Sequence, residues 1–379
     1  MSSGNIFAPV VDSMFECVVG AWKLFKDIKF DKSMNIDFNK LFKNMKFKNI
    51  DEVYPKLEYK RDTEYFREFE FSVPFGMSIE DFKKKSDVFA QALNVNVRDL
   101  RFEKNEYNVV LKSRKNKKMN YDYDIDLMKR TDFKIPLGYD YDDNLILLDL
   151  FTSNNFGCYI AGSAGGGKSI TLRLILTHLV NCKTKSDIQF AIVNTKRVDL
   201  KDFQYARNTI QYQNGTDGIE DLMMDQLEEM EKRYSIIEKA DCDDIWEFRK
   251  KVRKMPFRLL VIEEISAYKN NKEYQRCLEL LASQGRGAGI IPILVTQLPN
   301  KDIMPNTVKA NINTILGHKT IDAIRSEIIA GPESGLEKLK GEGNNKLFNA
   351  KYQGVEYQGI YVSKEQMKEV INNNRKKEQ

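Results

Sequence analysis

Residues Gly162-Ser163-Ala164-Gly165-Gly166-Gly167-Lys168-Ser169 follow the pattern G-x-x-x-x-G-K-[ST], which tightly constrains what the surrounding chain can fold into. Glycines at these places let the backbone wrap so that successive N–H groups point at phosphate oxygens. Lys168 is then placed to reach the β- and γ-phosphates of a nucleotide, and the Ser169 hydroxyl to take a position on a magnesium ion. The pattern needs a strand before it and a helix after it. Cys158 to Ala161 is a short apolar run, and Ile170 to Leu179 reads as helix, so both conditions are met. Gly162, Ser163, Ala164, Gly165, Gly166, Gly167, Lys168, Ser169 and Ile170 are therefore the candidate nucleotide-binding residues, with ATP and Mg²⁺ as the expected ligands.

A phosphate loop that hydrolyses its nucleotide needs a second, acidic site. The run Phe257-Arg258-Leu259-Leu260-Val261-Ile262-Glu263-Glu264 supplies one: an apolar strand ending in two carboxylates. At the C-terminal edge of a parallel sheet both would face the crevice where ligands bind. Glu263 is the candidate metal-supporting residue, acting through the water shell of Mg²⁺, and Glu264 the candidate base for the attacking water. Glutamate in the first of these positions departs from the more usual aspartate but keeps charge and ligand type. A later apolar strand, Ile290 to Gln297, ends in Thr296-Gln297, and Gln297 is a candidate γ-phosphate sensor. Just before it, Gly285-Arg286-Gly287-Ala288-Gly289 sets one arginine among glycines. Arg286 reads equally as a phosphate contact across a subunit boundary or as a surface turn.

Around these motifs the chain divides. From about Ile135 onward, short apolar segments alternate with long amphipathic ones, the pattern of a parallel α/β sheet. Strands are expected at Cys158–Ala161, Ile188–Val193, Leu259–Ile262, Ile291–Val295, Thr314–Leu316 and Lys346–Asn349, and a helix at Ile219–Lys239. Ahead of that lies a smaller α+β unit: a strand over Tyr65–Val73, a helix over Ile79–Leu93, and a hairpin of Val95–Phe102 with Tyr107–Lys112. Its basic tip holds Lys112, Arg114, Lys115, Lys117 and Lys118, a solvated loop or a phosphate contact. Residues from Asp31 to Asp51 look like a linker or short helices. From Phe7 to Phe25, Val11, Phe15, Val18, Trp22 and Phe25 share one helical face, which docks either on protein or, with Lys26, Lys29 and Lys32, on an acidic lipid surface.

Composition excludes several alternatives. The hydrophobic fraction of 42% and charged fraction of 30% are those of a folded, soluble protein, and a formal net charge of +5 does not by itself mark a nucleic-acid binder. Five cysteines without ligand-like spacing argue against a zinc ribbon or a disulfide framework and suit a reducing cytosol. Two histidines, His178 and His318, make a histidine-based metal site improbable. No signal peptide and no membrane-spanning run is expected.

Taken in order, these motifs resemble the FtsK/SpoIIIE DNA-translocating ATPases, within the broader group that includes HerA and conjugative coupling proteins. After the phosphate loop, Val193-Asn194-Thr195-Lys196-Arg197-Val198-Asp199-Leu200 is similar to a D-P-K-x-x-E-L segment, and Glu229-Met230-Glu231-Lys232-Arg233-Tyr234 to an E-M-x-x-R-Y helix. Gly285–Ile290, Thr296-Gln297-Leu298-Pro299 and Val308-Lys309-Ala310-Asn311-Ile312 stand where the family has R-A-A-G-I-H, T-Q-R-P and I-K-A-N-I. The resemblance implies an α/β fold with a RecA-like P-loop core and a small N-terminal α+β domain. With the patterns above, the chain divides into residues 1–50 (amphipathic helix and linker), 51–134 (α+β domain), 135–365 (ATPase domain) and 366–379 (polar tail).

The resemblance also implies a homo-hexameric ring with DNA passing through a central pore, a trans-acting role for Arg286, and a sensor role for Gln297. Pore-facing candidates are Lys196–Lys201 and Tyr268–Lys272, either of which reads equally as an exposed turn. The chromosome-segregating members carry a multi-helix membrane anchor and a C-terminal winged-helix domain. Neither is expected here, so the resemblance is to the short versions carried by plasmids, conjugative elements and phages. A second reading is a coupling protein that recruits a relaxase and a membrane-channel protein, with peripheral membrane contact through the N-terminal helix. The expected location is the cytoplasm or the inner face of the membrane.

Overall fold

Period-two burial decides the architecture of the larger part of the chain. In the strands β8 (Cys158–Ala161) and β12 (Ile290–Thr296) every residue is buried, so both faces of the sheet must be covered. Successive residues accordingly enter two separate cores. Cys158, Ile160, Val261 and Ile293 lie in one, and Tyr159, Ala161, Leu260 and Leu294 in the other. The computed structural model describes residues 36–62, 66–95, 97–114, 121–128, 133–142 and 144–375. These divide between Met119 and Asn120 into two compact units.

The second unit is a three-layer α/β body. Its sheet runs in the order β10 (Thr209–Asn214), β9 (Ile188–Asn194), β11 (Phe257–Ile262), β12, β8, β13 (Ile315–Gly317), all parallel. It continues antiparallel through β14 (Asn344–Phe348), β15 (Gln353–Tyr361), β6 (Ile135–Tyr139) and β7 (Leu145–Leu148), while β5 (Tyr121–Asp122) pairs alongside β15. Close approach fixes one of these pairings: a Cβ at Gly138 would sit 2.1 Å from the Gln358 carbonyl oxygen. One face carries the helix that follows the phosphate loop, Lys168–Cys182, and the helix Lys364–Asn373 packed against it. The other carries the helices Ile219–Lys239 and Lys272–Gln284, whose Leu222, Met223, Met230, Tyr274, Leu278 and Leu281 are buried.

Two expectations change here. Residues 121–122 pair with β15, so the strands just before position 135 belong to the second unit. Residues 364–373 form a helix that buries Met367, Val370 and Ile371, where a polar tail was expected from 366. The polar residues Lys368, Glu369, Asn372 and Asn373 lie on its exposed side, and residues 376–379 lie outside the described residues.

The first unit is a four-stranded antiparallel sheet in the order β1 (Lys56–Asp62), β2 (Phe66–Ser72), β4 (Asn108–Arg114), β3 (Leu100–Asn105). Aromatic residues hold it together. Phe38 packs on Phe69 at 4.8 Å and Phe47 on Phe82 at 4.8 Å between ring centroids, with Phe42, Phe71 and Phe89 buried among them. The stretch read as a linker or short helices contains one helix among its described residues, Phe38–Asn44, capped by the Asp37 side chain and anchored by Phe38 and Phe42. The single helix expected over 79–93 is two, Ile79–Lys83 and Ser86–Leu93, because Lys85 leaves helical geometry and Ser86 Oγ donates to the Lys83 carbonyl. Strand β1 was not anticipated. All of its residues before Asp62 are exposed, so no burial pattern marks it in the sequence. Of the basic tip, Lys112 pairs with Glu103 at 3.0 Å, while Lys115, Lys117 and Lys118 lie outside the described residues. So does the helix expected over 7–25.

Candidate nucleotide site

The parallel strands end together. Ile262 is in register with Leu294 and with Val193, Thr296 with Ala161, and Ala161 with Gly317. The residues immediately following them therefore share one edge: Glu263 and Glu264 after β11, Gln297 after β12, the phosphate loop after β8, and His318 after β13. Strand β12 lies between the phosphate-loop strand and the carboxylate strand. Thr296 is consequently the buried residue between the two motifs, with an Oγ1 that has no hydrogen-bond partner. Gln297 beside it is exposed.

The loop itself is braced by residues that the sequence reading did not assign. His318 is fully buried; its N–H donates to the Ala161 carbonyl at 2.8 Å, and its Nδ1 lies 2.7 Å from the Gly166 carbonyl oxygen. Because that oxygen can only accept, Nδ1 carries the proton and Nε2 is left without a partner. Ser163 N–H donates to Lys319 O at 2.9 Å. Gly162, at φ +152°, is pressed so closely that a Cβ would lie 2.6 Å from His318 Cβ. Burial first, then the Lys168 charge, push the His318 imidazole down to about 4, opposed by its bond to Gly166, so it is neutral at physiological pH. The signal in the sequence was weak: one histidine after a short apolar strand, 152 residues from the carbonyl it holds.

Lys168 opens the helix Lys168–Cys182 and is 6% exposed. Its ammonium donates to the carbonyls of Gly162 at 2.8 Å and Ser163 at 2.9 Å. Burial, then repulsion from Lys196, bring it down to about 8, with Glu264 opposing. That value has a consequence for binding. A phosphate next to Lys168 favours the charged ammonium and raises its pKa in the complex, so above pH 8 binding must take up a proton and affinity must fall as pH rises. Calorimetry of ATP binding in buffers of different ionisation enthalpy should show proton uptake at pH 9 and little at pH 7. The loss of affinity should approach about tenfold per pH unit. Equal uptake at both values would remove Lys168 as the titrating group.

Both carboxylates are buried, Glu263 at 1% and Glu264 at 8% exposure. Glu263 Oε2 accepts the Lys196 N–H at 3.1 Å, while its Oε1 has no partner. Burial raises the Glu263 carboxyl above its ordinary range, and the Lys196 N–H and charge pull it back. Glu264 accepts the Ser266 hydroxyl at 2.7 Å on Oε1, and its Oε2 lies 3.6 Å from the Lys196 ammonium. Among the described residues, no group of three or more histidine, cysteine or acidic side chains could hold a metal alone. One carboxylate with a bare buried oxygen and one serine hydroxyl instead suit Mg²⁺, which takes oxygen ligands, keeps waters and draws the rest of its shell from substrate phosphates. Ser169 and Glu263 are the residues that would hold it.

Arg286 lies elsewhere. It precedes β12, so it sits at the opposite edge of the sheet from Lys168, about 20 Å away at the usual rise per residue. Its Nη1 is 3.4 Å from the Ser153 carbonyl and it is exposed. The sheet does not bring Arg286 to the phosphate loop of its own chain. Residues of the E-M-x-x-R-Y segment shape this turn: Arg233 is 2% exposed, pairs with Glu229 at 2.9 Å and donates to the Ala288 carbonyl at 3.0 Å. The Tyr234 hydroxyl donates to Gln284 O. Of the two segments proposed to face a pore, Lys196, Arg197 and Val198 are exposed. Tyr268 is 3% exposed and donates to Gly215 O, so it cannot contact a polymer in a channel.

Residues 127–308 match the FtsK/SpoIIIE family model. Curated relatives include the DNA translocase FtsK of Borreliella burgdorferi, 28% identical over 232 residues, and that of Chlorobaculum tepidum, 27% identical over 233. Each alignment covers 57% of this chain and 28% of the relative, so the chain matches little more than a quarter of their length. Among solved structures, the pCW3 conjugation coupling protein TcpA, in monomer form with ATPγS, superposes with a TM-score of 0.62 at 19% identity. That superposition covers 89% of this chain and 98% of TcpA. The cytoplasmic domain of the Thermomonospora curvata type VII secretion ATPase EccC superposes with a TM-score of 0.59 at 18% identity, over 69% of this chain and 34% of EccC. These likenesses agree with the strand order above: the second unit has a RecA-like P-loop core.

Proposed function

Since residues 127–308 form an FtsK/SpoIIIE domain, we propose that the chain is an ATP-driven DNA translocase, working as a ring hexamer in the transfer or segregation of a plasmid, conjugative element or phage genome. The observation that carries this reading is the shared edge of β11, β12 and β8, which gathers the phosphate loop, two buried carboxylates and Gln297.

On this reading the backbone from Gly162 to Ser169 wraps the phosphates, Lys168 turns its ammonium to the β- and γ-oxygens, and Ile170 flanks the nucleotide. The Ser169 hydroxyl and, through water, Glu263 would hold Mg²⁺, which would supply positive charge against the phosphates. Glu264 takes a proton from water as the water oxygen bonds to the γ-phosphorus. The bond from that phosphorus to the bridging oxygen breaks, and its electron pair leaves with ADP. Gln297 senses the γ-phosphate, and Arg286 of one subunit contacts the nucleotide of the next. Loss of those contacts lets the interface shift and moves DNA through the pore.

A second reading, a coupling protein that mainly brings a relaxase–DNA complex to a membrane channel, is favoured by the TcpA likeness, which reaches beyond the family domain. No helix among the described residues is long and apolar enough to cross a membrane. ATP hydrolysis measured with and without double- and single-stranded DNA, together with displacement of a triplex strand, separates the two. Translocation requires DNA-stimulated turnover and triplex displacement. Stimulation without displacement would favour the coupling role, and neither would overturn the motor.

A further inference from the structure

Lys196 reaches both carboxylates of the site by different atoms. Its backbone N–H holds Glu263, and its ammonium stands 3.6 Å from Glu264 Oε2. The other oxygen of Glu264 is already engaged by Ser266. Oε2, buried and without a hydrogen bond, is thus the oxygen available to take a proton, and it is the one the ammonium faces. Exposure within the pair is unequal: the Lys196 side chain is 41% exposed and that of Glu264 10%. An anion arriving from solvent can therefore engage the lysine but not the carboxylate.

The segment around Lys196 is fixed at its base and open at its tip. Asn194 Nδ2 donates to the Tyr212 hydroxyl at 2.7 Å, and Thr195 Oγ1 lies 3.3 Å from the Tyr268 hydroxyl. Beyond them Lys196, Arg197 and Val198 are exposed, and Arg197 takes a left-handed backbone, φ 62°, that turns the chain back toward Gly215. Two adjacent cations at an exposed tip form a contact suited to a phosphodiester backbone and indifferent to base sequence.

The geometry points to Lys196 as a gate on the catalytic carboxylate: its ammonium holds Glu264 until nucleic-acid phosphates draw the lysine away and leave Glu264 free to accept the proton of the attacking water. Lys196 is a positioning residue in this scheme, acting through Glu264. The gate rests on the assignment of Glu264 as base, and its coupling to DNA rests on the translocase reading.

The test compares wild-type protein with Lys196→Ala and Lys196→Arg for ATP hydrolysis with and without DNA, and for ATP binding. Lys196→Ala should hydrolyse ATP without DNA about two- to fivefold faster than wild type, the range a partly exposed ion pair can shift, and DNA stimulation should shrink by a similar factor. ATP affinity should stay within about twofold, and Lys196→Arg should restore the low basal rate because the charge is kept. A basal rate unchanged or lowered in Lys196→Ala, with stimulation intact, overturns the gate. Wild-type hydrolysis indifferent to DNA, with Lys196→Ala still faster, upholds the gate on Glu264 and overturns the translocase reading instead. If neither protein hydrolyses ATP, both fall.

Discussion

Lys168→Ala should lose nucleotide binding, with Kd for ATP rising at least about a hundredfold. Lys168 is 6% exposed at the first turn of its helix, and the loop's backbone N–H groups would supply the rest of the phosphate contacts. A hydrogen bond to a charged group contributes about 1.5–3 kcal/mol, and Lys168 offers more than one to the β- and γ-phosphates. The fold should survive, because of the two carbonyls that lose a donor only that of Gly162 is buried, while that of Ser163 lies in a half-buried part of the loop that water can reach. Fluorescent-nucleotide titration, with circular dichroism as the folding control, checks both halves. An affinity within tenfold of wild type would mean that the loop binds chiefly through backbone N–H groups.

Glu264→Gln should separate binding from turnover. Glutamine keeps the size of the side chain and can still accept from Ser266, but it cannot take a proton, so hydrolysis should fall about a hundred- to ten-thousandfold while ATP stays bound. Glu263→Gln is the contrasting variant. It leaves the base in place and removes a charge from the metal side, so its loss should be partly recovered at high Mg²⁺. Single-turnover hydrolysis beside equilibrium binding distinguishes them. Fast turnover in Glu264→Gln would transfer the role of base elsewhere.

What could be read in the sequence was what is local in the chain. The loop at 162–169 specifies its own conformation through its glycines, and an apolar run ending in two glutamates can hardly be other than a buried strand with its charges at the rim. The roles of His318 and Lys196 were not legible. Each depends on which strands become neighbours: His318 meets Gly166 because β13 lies beside β8, and Lys196 meets Glu263 because β9 lies beside β11. Neither adjacency leaves a mark on the residues themselves. Strands β10 and β15 escaped for a different reason, since both are half-exposed and rich in glutamine, which lacks the apolar alternation that marks a strand. Phe38 and Phe42 were hidden among lysines and asparagines, where two aromatic residues four apart are enough to anchor a short helix but too few to show a period.

The helix Lys364–Asn373 has a bearing on how this protein is made. It covers Lys168–Cys182, which buries Leu172, Ile175, Leu176 and Leu179 near the middle of the chain. Gln366 and Tyr361 are tied to the main chain of Tyr123, more than two hundred residues earlier. On the ribosome, the second unit can therefore be started at residue 121 but not closed until residue 373 has emerged. At about 5–20 residues per second, the interval from Cys182 onward lasts roughly ten to forty seconds, during which an apolar helix lacks its cover. The first unit, whose described elements all lie before residue 115, can be complete long before. Slow closure, rather than weak final packing, is where a mutation in the last helix would act first, as a loss of soluble yield from cells growing warm and fast.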